Sequence, residues 1–552
     1  MNNLIAATIL GMPSMVDFWL VVLISVATSF LAVFMSTKML QILQLSGYKT
    51  KGCLEWLKQT KYNYVGRLVM VSVLSAAAML ITNVLLDEFL IVRPLKYISI
   101  IFFFVFSLIY IVNVYTVPQK TPIKYTHRMN RLVAVIWGLS LIVSFWLMVL
   151  SVNYIPYFTA GGAVLVPAVL PVVILFGHLL TCGIEKAVAK KFINRAKDTL
   201  AKHTDLKVVG VTGSYGKTTV KNIIATMLAE KYKVCVTPFS YNTPLGLSKT
   251  ILENLEEDDQ VLVAEMGARS VGDIAELCDM VQPSVGVITG IGNQHMATFG
   301  SMEKIIQTKG EIDEYIVNRR GTMVYNIDSL PAQEMFTKSK ANKYAVGINH
   351  KQDIFAEDLK CTSEGSEFTL HIKSKKYKAV KTSLLGEHNI SNILIAVCVA
   401  KQFGLSDEQI IEGIKKLTPT AHRLAIIPSA SALIVIDDAY NGSVEGTKSA
   451  LNVLSKFEGK KVVITPGLVE LGAEQFNSNF EFARSMAAVV DYVIITGVVN
   501  YDAISSGLEF AGFDVSKIIR AGNLNQAVSM LANITNPGDV VLFENDLPDN
   551  YI

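Results

Sequence analysis

The stretch VVGVTGSYGKTTVKN, Val208–Asn222, decides how the rest of the chain reads. Its front half belongs to LKVVGV, an unbroken apolar run of buried-strand type. Its back half opens TTVKNIIATMLAEKY, where Val220, Ile223, Ile224, Met227 and Leu228 recur at helical spacing. Between them lie Thr212, Gly213, Ser214, Tyr215, Gly216, Lys217, Thr218 and Thr219. Strand, glycine loop and helix in that order make a phosphate-binding loop. The two glycines let the backbone curl so that N–H groups face phosphate oxygens, and the helix N-terminus adds a favourable dipole. Lys217 reaches the β/γ-phosphates and Thr218 offers a hydroxyl to Mg²⁺. Val211 stands where the general pattern has glycine, which leaves the narrower form TGxxGKTT.

Working outward toward the N-terminus, the chain changes character. The 552 residues exceed what one core holds, so several domains are expected. Five apolar runs are long enough to cross a bilayer: Val16–Met35, Leu68–Leu86, Tyr97–Val117, Leu132–Val152 and Ala160–Cys182. Lys38, Lys49, Lys51, Lys58, Lys61 and Arg67 crowd the first loop, and Lys120, Lys124, Arg128 and Arg131 the third. The second and fourth loops carry little positive charge. Positive loops stay inside, so the N-terminus is expected outside and everything after Cys182 in the cytoplasm. His178 reads as interfacial or paired, and Pro167 and Pro171 as kinks in the fifth span. Residues 183–204 read either as a basic amphipathic helix on anionic headgroups or as a solvated linker helix.

The charge balance of +3, without an arginine-rich tract, gives no reason to expect nucleic acid as a partner. Six scattered cysteines form neither a zinc spacing nor a disulfide framework.

Six motifs in order, the first of them the glycine loop itself, resemble the Mur ligase family, which joins an amine to a carboxylate using ATP. They are TGSYGKTT; YNTPLG; the strand VLVAEM ending at Glu265; PSVGVITGIGNQHMATFGSMEKIIQTKGEI with His295 and Lys309; LLGEHNISNILIA with His388, Asn389 and Asn392; and HRL with IVIDDAYN, containing Arg423, Asp437, Asp438, Tyr440 and Asn441. The apolar spans give a membrane domain over 1–182 and a linker helix over 183–204, and the resemblance implies an α/β P-loop central domain over 205–420 and a Rossmann-like C-terminal domain over 421–552. It implies ATP with two Mg²⁺ ions, metal contacts from Thr218, Glu265, His295 and Lys309, and carbamylation of Lys309. Lys217, His295, Lys309 and Arg423 would act on the reacting groups. His388, Asn389, Asn392, Asp437, Tyr440 and Asn441 would hold the nucleotide. Taken alone, Lys309 is a surface helix lysine and Asp437–Asp438 could be a metal-holding strand end.

Two regions depart from the family. The membrane segment stands where a soluble domain grips a UDP-sugar, so the acceptor carboxylate is either lipid-linked or UDP-linked, of muramoyl type. The C-terminal VVLFENDLPDNYI carries Glu544, Asp546 and Asp549 where a lysine-glycine-serine-arginine stretch is usual. That reversal suits an ammonium group on the incoming amine, or is simply a polar terminus. The expected function is a membrane-anchored amide ligase of cell-envelope synthesis, in which an amino acid or short peptide attacks an acyl phosphate. A poly-γ-glutamate-type synthetase, an ATP-driven transporter and an inactive scaffold are the alternatives. The segment 353–380 alternates around Gly365 and reads as a small structural sheet.

Overall fold

The structure, a computed structural model, describes residues 15–85, 100–116, 122–154, 161–294, 296–427, 429, 432–440 and 442–546. The chain divides between Ala189 and Lys190 into two compact units.

The first unit is helical. Four helices are long and apolar enough to cross a membrane: Met15–Leu45, Asn63–Leu85, His127–Tyr154 and the one beginning at Gly161. The third expected span appears as the shorter helix Ile101–Thr116; its remaining residues lie outside those described. The first unit is apolar on its surface as well as in its core, where Met35, Leu43, Leu68 and Ile136 are buried. Ser25, Thr28, Ser29, Ser36, Ser140, Ser144 and Ser151 are buried, while Leu23, Phe30, Phe34, Trp146 and Val172 are exposed. Small hydroxylated residues let helices approach closely in lipid, where large apolar side chains need no shelter. An extra helix, Thr50–Gln59, lies in the first basic loop and buries Cys53, Trp56 and Leu57. The fifth span and the linker helix are one continuous helix, Gly161–Lys202, with Pro167 and Pro171 inside it. Neither half of the expected linker alternative describes its end: Ile193, Ala196 and Leu200 pack into an apolar core of the second unit.

The second unit holds two doubly covered sheets. Strands β1 (Lys207–Thr212), β2 (Val234–Val236), β3 (Val261–Glu265), β4 (Val285–Ile288), β5 (Thr322–Asn326) and β6 (Asn342–Val346) form a parallel sheet in the order β2-β3-β1-β4-β5-β6. Nearly every residue of β1, β3 and β4 is buried, as a sheet covered by helices on both faces requires. Val209 and Val211 face one core with the helices Lys217–Leu228 and Glu387–Gln402, while Val208 faces the other. Strands β7 (Ile354–Thr362), β8 (Gly365–Ile372) and β9 (Lys375–Thr382) make the expected small antiparallel sheet, which packs into the first of these cores.

The C-terminal sheet contains β10 (Ala425–Ile427), β11 (Ile434–Asp438), β12 (Lys461–Thr465), β13 (Tyr492–Thr496), β14 (Ile518–Ala521) and β15 (Val540–Glu544). Its order is β10-β11-β15-β12-β13-β14, parallel except for β10. The helical membrane-type region, the P-loop α/β domain and the Rossmann-like domain expected from sequence are all present. All six cysteines are free.

Candidate active site

Strand β1 lies between β3 and β4, so the chain leaves it at the point where successive connections diverge. Open α/β sheets bind ligands at the carboxyl ends of strands at such a point. The glycine loop is there. Gly213 has φ +153°, and a Cβ on it would lie 2.2 Å from Thr289 Oγ1 and 2.9 Å from Gly290 O. Gly216, at φ +79°, is the N-cap of the helix Lys217–Leu228. A Cβ there would lie 3.2 Å from Asn392 Oδ1, so Asn392 stands against the loop. Asn392 Nδ2 donates to Asn389 Oδ1 at 3.1 Å, and Asn389 Nδ2 to Leu385 O at 2.8 Å. Ser214 Oγ donates to Gly292 O at 3.0 Å, and the Tyr215 ring covers Gly290. Thr218 and Thr219 begin the helix and are partly buried.

Lys217 folds over its own loop, donating to Gly213 O and Ser214 O, each at 2.8 Å. Burial lowers its pKa to about 8 against the pull of Glu265, with Arg423 adding to the decrease. Glu265 ends β3 and is 1% exposed. Asn242 Nδ2 donates to its Oε1 at 3.0 Å, and the Lys221 ammonium stands 3.3 Å from Oε2. Two of the three Lys221 hydrogens go to Thr237 O and Phe239 O, and its charge faces Glu265 Oε2. A buried carboxylate at a strand end is the type of hard oxygen ligand that a divalent cation takes. Asn242, from the YNTPLG motif, and Lys221, which sequence reading did not single out, complete the site. Lys221 follows Lys217 by four residues, a spacing that puts both on one helix face.

Lys309 lies on the helix Met302–Asn318 and is 4% exposed rather than on the surface. Burial, then the positive charge of Lys217, hold its amine well below the usual lysine range. Asp273, Glu311 and Glu265 oppose that shift. Glu311 itself accepts hydrogen bonds from the Gly272 and Ala275 amides, at 2.7 and 2.9 Å. His295 lies outside the described residues. His388 is partly buried, and desolvation lowers its pKa to about 4.

On the C-terminal domain, Asp437 Oδ2 meets His422 Nδ1 at 2.6 Å. Arg423 donates to Tyr440 O at 2.7 Å and lies over the Tyr440 ring. Asn441 lies outside the described residues. Asp438 and Glu544 end neighbouring parallel strands in register. Burial pushes the Asp438 carboxyl up to about 6, and holds Glu544 well above the usual carboxylate range. Glu445 opens the helix Val444–Leu454 and meets Gly292, the residue that Ser214 also contacts.

A glycine loop at a strand end, with a buried acid and two buried lysines around it, defines the class: an α/β protein with a P-loop nucleotide site. Residues 211–400 match the Mur ligase middle domain, and residues 422–544 match the Mur ligase glutamate ligase domain. UDP-N-acetylmuramoyl-tripeptide–D-alanyl-D-alanine ligase of Bacillus subtilis (strain 168) is 31% identical over 350 residues, covering 61% of this chain and 72% of that protein. The crystal structure of MurF from Acinetobacter baumannii superposes with a TM-score of 0.58 and 26% identity, over 65% of this chain and 77% of that one. The Thermotoga maritima MurF ligase in complex with ADP gives 0.57 and 26%, over 65% and 80%. The chain belongs to the Mur ligase family.

Proposed function

We propose that this chain is a membrane-anchored ligase of cell-envelope peptide synthesis that activates an acceptor carboxylate as an acyl phosphate. The carboxylate oxygen attacks the γ-phosphorus of ATP and ADP leaves. The amine nitrogen of an amino acid or short peptide then attacks the acyl carbon, and phosphate leaves carrying the former carboxylate oxygen. The attacking nitrogen gives up its proton.

The observation that carries this reading is that Lys217, half-buried in the glycine loop, and the buried Glu265 and Lys309 each lie within the field of another. Lys217 and the loop amides face the phosphates and Arg423 brings further positive charge. Mg²⁺ held by Glu265 Oε2 and the Thr218 hydroxyl would neutralise charge on the phosphoryl group. Lys309, uncharged in its buried setting, is in the form that takes up carbon dioxide as a carbamate. Asn389, Asn392, His388, Asp437 and Tyr440 are assigned to the nucleotide, as are His295 to metal and Asn441 to the nucleotide by family resemblance alone.

Relatives are named for a UDP-linked muramoyl tripeptide and D-alanyl-D-alanine. In this chain residues 1–182 would be the membrane domain, 205–420 the central domain and 421–552 the C-terminal domain. The exposed apolar side chains of the long helices support anchoring, and the basic first and third loops support an N-terminus outside and a ligase unit in the cytoplasm. An anchored enzyme favours an acceptor that is lipid-linked at the cytoplasmic face. The test uses full-length protein in detergent with lipid-extract acceptor labelled with heavy oxygen in its carboxylate. Amine-dependent release of ADP and of phosphate carrying one label is expected. ATP turnover indifferent to amine, or phosphate without label, would sink the proposal.

A further inference from the structure

The basic end of the helical unit holds a side-chain cluster that has no part in the ligase chemistry above. Its centre is Arg128, at the start of the helix His127–Tyr154. The Arg128 guanidinium lies over the Tyr48 ring, 3.8 Å from its centroid. Its acidic neighbour is Glu185, at 3.9 Å, beyond hydrogen-bond reach. Glu185 is already taken, because Arg131 grips both of its oxygens at 2.7 and 2.9 Å. Among the described residues Arg128 is therefore a cation fixed in place with its N–H donors unspent, and its side chain is 32% exposed.

Tyr48, on which it rests, is held from several sides. It follows the helix Met15–Leu45 at φ +60°, a left-handed conformation that strains a residue bearing a Cβ. Gln44 Nε2 donates to its hydroxyl at 3.3 Å. The same Gln44 amide exchanges hydrogen bonds with the Lys124 backbone, at 2.7 and 2.9 Å. The His178 ring, on the helix Gly161–Lys202, hydrogen-bonds the Tyr48 backbone. Three helices thus contribute to keeping one strained aromatic under one arginine, and such strain persists where it serves a site.

Lys49, next to Tyr48 in the chain, and Lys124 are both exposed and add positive charge. Leu45, beside Gln44, and Ile184, beside Glu185, are exposed apolar side chains. Free guanidinium donors next to lipid-type surface match a ligand that is part phosphate and part hydrocarbon. The guanidinium fork takes phosphate oxygens in pairs. Basic pockets between helices at the cytoplasmic boundary hold anionic headgroups. A soluble phosphate would use the fork and leave the apolar surround idle.

We propose that Arg128, seated on Tyr48, binds the phosphate of an anionic lipid of the cytoplasmic leaflet. Lys49 and Lys124 add charge to the site, and Leu45 and Ile184 meet the acyl chains. The bound lipid joins the ends of three helices. This inference goes beyond the ligase reading and rests only on the membrane anchoring.

The experiment is native mass spectrometry of the full-length protein released from detergent, after titration with phosphatidylglycerol or with phosphatidylcholine of the same acyl chains. Phosphatidylglycerol should bind at least about tenfold more tightly. Arg128→Gln should remove that preference. Arg128→Lys keeps the charge without the fork and should weaken it about threefold or more; it serves if the first variant misfolds. Lys58→Gln, at an exposed lysine of the same basic loop that makes none of these contacts, should leave the preference unchanged. Equal binding of the two lipids, a preference unaltered in both Arg128 variants, or an equal loss in Lys58→Gln would overturn the site, the last by showing that the attraction is diffuse. Displacement of the lipid by an equal concentration of inorganic phosphate would overturn the lipid as ligand. A chain that stays in the membrane pellet through carbonate washing and shows no headgroup preference keeps the anchoring and loses this site. A chain released by carbonate loses the anchoring, and the site with it.

Discussion

Lys309 is the residue whose meaning depends most on its surroundings. Nothing in EKIIQTKGEI distinguishes it from a solvated helix lysine. Folding buries it and sets Lys217 nearby, and both effects favour the uncharged amine. The unfolded chain therefore holds a proton on Lys309 that the folded chain does not, so this residue makes stability rise with pH until the ordinary lysine value of about 10.5 is reached. Lys309→Met should flatten that rise and stabilise the protein at pH 7 by about 1 kcal/mol or more, because it removes a buried ionisable group. It should also abolish turnover. Urea unfolding across the pH range reads the first effect and ADP release the second. Intact-mass analysis of the native protein should show one added carbon dioxide that acid removes and that Lys309→Met lacks.

At the scale of elements, the glycine loop shows how a short motif depends on distant chain. TGSYGKTT specifies its own strand–loop–helix, because positive φ at Gly213 and Gly216 is a local matter. The loop's shape is nonetheless closed by Thr289 and Gly290 at the end of β4, and Thr289 Oγ1 donates to Tyr215 O at 2.5 Å. Gly213→Ala would drive a methyl into Thr289. It should cost about 2 kcal/mol of stability and lose nucleotide binding, with thermal unfolding and ADP titration as the measures. Lys221 and Asn242 were harder to see than the loop. Their partner Glu265 comes from another strand, and only the parallel register of β1 with β3 brings the three side chains together. The long helix Gly161–Lys202 teaches the same lesson. Its basic residues suggested lipid or solvent, whereas Ile193, Ala196 and Leu200 are covered by protein.

At the scale of the whole molecule, both units bury apolar side chains but differ in what they expose. The ligase unit puts Val, Ile and Leu inside and charge outside, as water demands. The helical unit leaves Leu23, Phe34 and Val172 exposed and hides hydroxyls. The full chain should remain in the membrane pellet through alkaline carbonate washing. Protease added to intact cells should leave the ligase unit whole, and protease added to inverted vesicles should digest it. Release by carbonate would overturn the anchoring, and digestion in intact cells the orientation.

Sequence by itself determined the classes of segment: apolar spans by length, the phosphate loop by its glycines, and family membership by six motifs in order. These signals are local, or depend only on order along the chain, and so survive without a structure. It also supplied Glu544, Asp438 and Arg423 as isolated charges. Tertiary structure decided that Glu544 and Asp438 adjoin, that Glu544 is fully buried, and that Lys309 is buried within the field of another lysine. Those are facts about register and desolvation. They arise only when strands about one hundred residues apart pair and exclude water.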